Sequence, residues 1–457
     1  MKCRKFDGLL TRQGWLGKTY VLTDEHGHLV EIGENPQSNE VEVVPGLAIP
    51  GFQNAHSHAF QYAMAGLAEH LRAPDDDFWS WREAMYALAL EVSPEDLVAI
   101  AAMLYSEMMR NGYTSVAEFH YLHHDRDGKA YETPATMGEC LIEAARRTGI
   151  ALTLVPVYYR NGDFGKPASE RQRRFIFEDV DAYFRLIEDT RRAASAYDRC
   201  LVGAGVHSLR AADQEEVKRI FTEVDPRSPL HIHISEQQGE VARCKEHWGK
   251  RPVEWLLDHV PVDSRCHLVH ATHLTDDETL RLAKSGATVV LCPSTEGNLG
   301  DGFFPLKQYH GAGGSWAIGS DSHVGLSPME ELRWIDYGQR LRLEKRNTLC
   351  QETGEDSGDT AFCAALDGGL RSMGRKFDSW FTPGEPFDAV VLDSTHPLMG
   401  TTSEARRLAT LVYASDTSVF RGVIAAGRWV VLDGRHRESG EIRTAFVRAM
   451  NRLGGRR

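Results

Sequence analysis

Eight apolar, β-rich runs recur along this chain, at 47–54, 114–119, 151–158, 201–207, 230–235, 265–270, 288–291 and 316–319, with helix-like segments between them. Each return from one buried strand to the start of a parallel neighbour needs a long crossover, which a helix supplies. Eight such units close most economically into an α/β fold of the (β/α)8 TIM-barrel type with its helices outside. The helical punctuation is legible. Ser93-Pro94-Glu95-Asp96 combines a cap, a first-turn proline and first-turn acids; Leu97, Ile100, Leu104 and Met108 follow on one face, and Gly112 stops the helix. Thr275-Asp276-Asp277-Glu278 is a capping box before another.

The ends of the chain read differently. Runs at 20–32, 41–44, 388–393, 408–414 and 422–432 are spaced as short strands with turn residues and no helices between them. They predict a small β-sandwich domain built from both chain ends, residues 1–46 and 379–457, around a barrel over 47–378. Residues 350–360 (CQETGEDSGDT) predict an exposed acidic loop. No repeat or low-complexity tract is present.

In such a barrel the C-terminal strand ends share one face, where loops build the active site. Residues 54–58, Asn54-Ala55-His56-Ser57-His58, end the first run, and period-two alternation lets His56 and His58 face one ion. The fifth run ends on His233 and Glu236, the sixth on His270 and the eighth on Asp321. Imidazole and carboxylate together suit a borderline divalent cation such as zinc, which can supply hydroxide near neutral pH. His231 sits deeper in its strand and stays outside the ligand set; His120, His123, His124, His267 and His273 are read as supporting or structural.

The chain has 457 residues, 42% of them hydrophobic, enough for a large core and more than one domain. A net charge of −13 disfavours nucleic acid, and obliges any anionic substrate to meet a locally basic pocket. Eight cysteines stand singly without CxxC pairs, no signal-peptide pattern opens the sequence, and no stretch is long enough to span a bilayer. The expectation is a reduced, cytoplasmic protein without membrane partners.

These motifs resemble the amidohydrolase superfamily: Pro50-Gly51-Phe52 leading into NAHSH, HIHISEQ at 231–237, HATH at 270–273 and GSDSH at 319–323. A narrower likeness, to deiminases that hydrolyse a formimino group carried on glutamate, rests on HSHAFQYAMAGLAEH (56–70), FWSWREAMY (78–86), GYTSVAEFHYLHHD (112–125), GVHSLR (205–210), STEGNLGDGFFP (294–305) and EELRWIDYGQRLR (330–342). It is weakest before residue 40, around 345–360 and after 435. The resemblance implies one Zn2+ held by His56, His58, His233 and Asp321. It also implies catalysis by Glu236, His270 and Asp321, and a small anionic substrate held by Gln61, Arg82, Tyr121, His207 and Arg210, in a homodimer. Residues 203–207 offer no bridging lysine, which fits one metal rather than two.

From the residues alone the support is uneven. Arg210 follows the fourth strand end and Gln61 the histidine pair, whereas Arg82 lies among Phe78, Trp79 and Trp81 and is equally readable as packing. Two readings stand beside the first: a deaminase acting on a cyclic amidine such as guanine, and a barrel that has lost its metal and serves as a scaffold. Two arginines argue against a neutral ring. The complete set of metal-competent strand ends argues against a scaffold.

Overall fold

The computed structural model describes residues 1–36, 38–67, 69, 78–375 and 379–455, except the side chains of residues 78–80. Its central sheet contains eight parallel barrel strands in chain order: Phe52–Ser57, Tyr113–His120, Ala151–Tyr158, Ala204–Val206, Leu230–Ile234, Cys266–His270, Thr288–Leu291 and Ser315–Ile318. The ring closes beyond the last of these. Ser320 and Asp321 donate their backbone N–H groups to His56 O at 3.1 and 3.0 Å, and His58 N–H donates to Asp321 O at 3.4 Å. Inside, Ala55, Ala117, Val269, Val290, Cys292, Ala317 and Met373 fill the barrel, so its interior is a packed core with the site above it.

The run at 47–54 is not one strand. Val41–Pro50 belongs to the terminal sheet, parallel to Lys2–Thr11 and antiparallel to Ala389–Leu392, and the barrel starts afresh at Phe52. Pro50 has no N–H with which to continue a ladder. A Cβ on Gly51 would stand 2.1 Å from Thr114 Oγ1, so only glycine fits this tight link. The run at 201–207 likewise breaks into Cys200–Val202 and Ala204–Val206.

The two chain ends form one mixed, nine-stranded sheet with its own apolar cluster, including Phe6, Val21, Val44, Phe387, Val391 and Ile424. Helices do interrupt its strands. Residues expected as a strand at 408–414 form the helix Arg407–Ala414, burying Leu408, Leu411 and Val412 at helical spacing, and Ser439–Arg452 is a second helix. The acidic loop ends earlier than expected, because Asp356 caps the helix Ser357–Ser372 by accepting from Gly358 N and Asp359 N. Residue 378, the expected barrel limit, lies outside the described residues. The cap read at Ser93 and the capping box read at Thr275 are both present, and the Ser93 cap is itself a capping box completed by Asp96. Among the described residues, no helix is long and apolar enough to cross a membrane.

Candidate active site

The first barrel strand places His56 and His58 on one side, as its period of two requires. His56 Nε2 lies 3.1 Å from His58 Nε2 and 2.9 Å from His233 Nε2. Asp321 Oδ1 lies 3.5 Å from His56 Nε2 and 3.2 Å from His58 Nε2. Ligands about 2.0–2.1 Å from a tetrahedral ion stand about 3.3 Å apart, so this set has the dimensions of a four-donor cation site. The outer nitrogens agree. His58 Nδ1 donates to Phe119 O at 2.9 Å and His233 Nδ1 to His207 O at 3.0 Å, which leaves both Nε2 lone pairs turned inward. Burial lowers His56 to about 3, keeping it neutral. Burial would raise Asp321, but His56 and His58 beside it outweigh that and hold it ionised, well below the usual carboxylate range. Lone pairs facing lone pairs at these distances repel unless a cation lies between them.

The backbone is strained where the site is built. Ser235, His270, Ala271 and Asp321 have φ of +51°, +68°, +49° and +45°, a left-handed region that non-glycine residues seldom occupy. Such conformations cost on the order of 1–3 kcal/mol each and persist when surrounding contacts over-determine them. Here Ala271 N–H donates to Ile234 O and Val269 O, and Asp321 N–H to His56 O. The turn carries each functional side chain over the barrel mouth.

Glu236 and His270 sit beside the cation site. His270 Nε2 is 3.6 Å from Asp321 Oδ2 and 3.8 Å from Glu236 Oε1, while Nδ1 donates to Glu296 Oε1 at 3.2 Å. Burial opposes a charge on His270, but Glu236, Glu296 and Asp321 outweigh it and raise the group to about 10. Burial pushes Glu236 well above the ordinary carboxylate range, helped by Asp321 and opposed by His270. Its carboxylate accepts no hydrogen bond from the described residues, so its oxygens stay available to the cavity.

The same residues line a cavity with the expected substrate-binding set: Gln61, Arg82, Tyr121, His207 and Arg210 all face it. Gln61 Nε2 donates to Tyr121 Oη at 2.7 Å, and Gln61 Oε1 is buried without a hydrogen-bond partner among the described residues. His207, driven well below its ordinary value by burial and by Arg210, is a neutral imidazole against the Tyr159 ring at 4.5 Å. Arg210 is 4% exposed, its Nε has no hydrogen-bond partner, and it forms no ion pair within 4.0 Å among the described residues. Arg82 stacks over Tyr86 at 5.4 Å, so packing and a charged pocket wall are here the same arrangement.

Four participants escaped the sequence reading as individuals: Tyr86, Tyr159, Glu296 and Asp301. Three lie inside stretches that carried the resemblance, and Tyr159 follows the third strand directly. His231, His123 and His124 are structural, bonded to the carbonyls of Ser372, Val157 and Ile176.

A profile of the family described as "Amidohydrolase family" matches residues 47–430. The chain belongs to the amidohydrolase family. This amidohydrolase is 44% identical to the formimidoylglutamate deiminase of Pseudomonas aeruginosa over 445 residues, covering 97% of this chain and 98% of that one. Its fold matches the crystal structure of an amidohydrolase from Brucella melitensis with a TM-score of 0.93 at 39% identity, covering 100% of both chains. A zinc-bound adenosine deaminase from Xanthomonas campestris shares the fold, with a TM-score of 0.80 at 19% identity over 99% of this chain and 98% of that one. The reaction class follows from the family: hydrolysis of a carbon–nitrogen bond.

Proposed function

We propose that this amidohydrolase converts N-formimino-L-glutamate to N-formyl-L-glutamate and ammonia, a step of histidine degradation. The observation that carries the reading is the pairing, in one cavity, of a four-donor cation site with a buried Arg210 that forms no ion pair among the described residues and whose Nε has no hydrogen-bond partner there. A buried guanidinium is costly until a carboxylate meets it, and its planar fork fits a carboxylate bidentately. The likeness to the Pseudomonas deiminase supports the same substrate. A neutral heterocycle would leave Arg210 unmatched.

His56, His58, His233 and Asp321 would hold Zn2+, whose Lewis acidity supplies hydroxide near neutral pH. Asp321, already ionised, orients the attacking water and takes its proton, aided by His270 at 3.6 Å. Glu236, carrying a proton more readily than an ordinary carboxylate, passes protons to the departing nitrogen. Arg210, Arg82, Gln61, Tyr121 and His207 fix the glutamate portion and so place the formimino carbon.

Eight free cysteines support a reducing, cytoplasmic setting. A homodimer, which the sequence resemblance implies, is part of the same proposal, and light scattering measures it. The deciding experiment is turnover of N-formimino-L-glutamate with product identification. Formylglutamate and ammonia support the reading; formamide and glutamate would mean that the other C–N bond is cut, and no turnover would remove the substrate assignment.

A further inference from the structure

Residues 300–302 separate two spaces. Leu299 lines the catalytic cavity, while Glu296, Gly300, Gly302, Phe303, Glu330 and Trp334 border a second, open cleft. Asp301 lies in the partition, 4% exposed. Gln237 Nε2 donates to its Oδ1, and its Oδ2 is buried with no hydrogen-bond partner among the described residues. Ligand atoms of Glu236, His270 and Asp301 all lie within 4.8 Å of one another. His270 Nδ1 is committed to Glu296, so the imidazole turns Nε2 toward this space. Four carboxylates, from Glu236, Glu296, Asp301 and Asp321, thus gather around one ring. No lysine or arginine pairs with Asp301 among the described residues; the side-chain cation nearest this space is the His270 ring.

The geometry points to Asp301 as the residue that receives the ammonium product, holding it against Glu236 before release into the second cleft. This rests on the proposed substrate. Starting from the amidinium form, water adds to the formimino carbon, the bond to the terminal nitrogen breaks with its electron pair on nitrogen, and the formyl C=O forms. Both water hydrogens pass to that nitrogen, so cation and water become amide and NH4+ with atoms and charge balanced. An ammonium donating at about 2.8 Å spaces its acceptors about 4.6 Å apart, a span that these groups enclose. Anion and cation therefore have separate sites: Arg210 and Arg82 for the substrate's carboxylates, Glu236 and Asp301 for the leaving nitrogen.

Two measurements test this. Crystals of the wild-type protein soaked in thallous acetate, Tl+ standing in for ammonium, are expected to give an anomalous peak between Glu236 and Asp301. In solution, ammonium chloride compared with sodium chloride at equal ionic strength is expected to inhibit Asp301→Asn at least about tenfold more weakly than the wild type, with lower kcat, unchanged metal content and a similar KM. No thallium peak in the wild type, equal ammonium inhibition of both proteins, or two divalent ions per subunit would each overturn the assignment. If Asp301→Asn does not fold, the thallium result decides alone. That result needs no turnover, so a thallium peak in a protein inert toward N-formimino-L-glutamate would count against the substrate and not against the cation site.

Discussion

His270 is tied through Nδ1 to Glu296 Oε1 at 3.2 Å, and the same oxygen accepts the backbone N–H of Cys292 at 2.9 Å. Glu296 therefore sets the rotation of a ring whose other nitrogen faces Asp321 and Glu236. Carboxylates that orient a functional histidine from behind typically affect activity by about 10–100-fold. Glu296→Ala is expected to lower kcat within that range while KM and metal content hold. Steady-state kinetics with metal analysis checks it, and Glu296→Gln should recover part of the loss.

Arg210→Ala should raise KM or lower kcat/KM by about 10–100-fold, since a charged hydrogen bond contributes on the order of 1.5–3 kcal/mol. Metal content should stay normal. Lysine should not substitute, because it lacks the planar fork. Unchanged kinetics would remove Arg210 from the substrate site.

Glu236→Gln keeps the shape and removes the exchangeable proton. Turnover should fall about 10²–10⁴-fold, the usual range for a general acid or base, with the metal retained. Metal loss in this variant would make Glu236 a ligand instead of a proton carrier.

Chelation should abolish activity, lower Tm and be reversed by adding a divalent metal, because an ion bound only by the folded chain stabilises it. Asp321→Ala should be inactive and bind metal poorly. Full activity in that variant would contradict the donor set built from Asp321 Oδ1 and the three imidazoles.

Glu331 gives a pH dependence with a definite sign. It is fully buried, accepting from Ser294 N at 2.9 Å and Ser294 Oγ at 2.6 Å. Burial raises it from 4.5 to about 8, against those hydrogen bonds and with help from Glu296 and Glu330. Between pH 4.5 and about 8 the folded protein keeps a proton that the unfolded chain has released, so this group's contribution to stability falls as pH rises through that window. Tm measured at pH 5 and pH 8 should drop less in Glu331→Gln than in the wild type; equal drops would contradict the buried proton.

Much of this site was legible because strand geometry is periodic. His56, His58, His233, His270 and Asp321 each end or follow an apolar run, and the barrel rule alone brings such ends together. Glu296 and Asp301 were not legible as individuals, since they sit on the segment after the seventh strand, where no periodicity says which side chain turns inward. The run at 47–54 misled because its apolar character continues across Pro50 and Gly51, where the chain passes from one sheet to another. Residues 408–414 misled because Leu408, Leu411 and Val412 have helical spacing within a segment too short to separate a turn of helix from a strand.

The hydrogen bonds that shut the barrel run between His56, His58 and Asp321, the residues that would grip the ion. The four-donor set is therefore complete only when the last barrel strand has been made. A ribosome that has delivered the first five strands has made three imidazoles with no fourth donor and no seam, and such an intermediate has nothing with which to act. Once Asp321 docks, a bound ion would serve as a clasp across the junction of the first and last barrel strands, so shutting the cylinder and arming it would be one event.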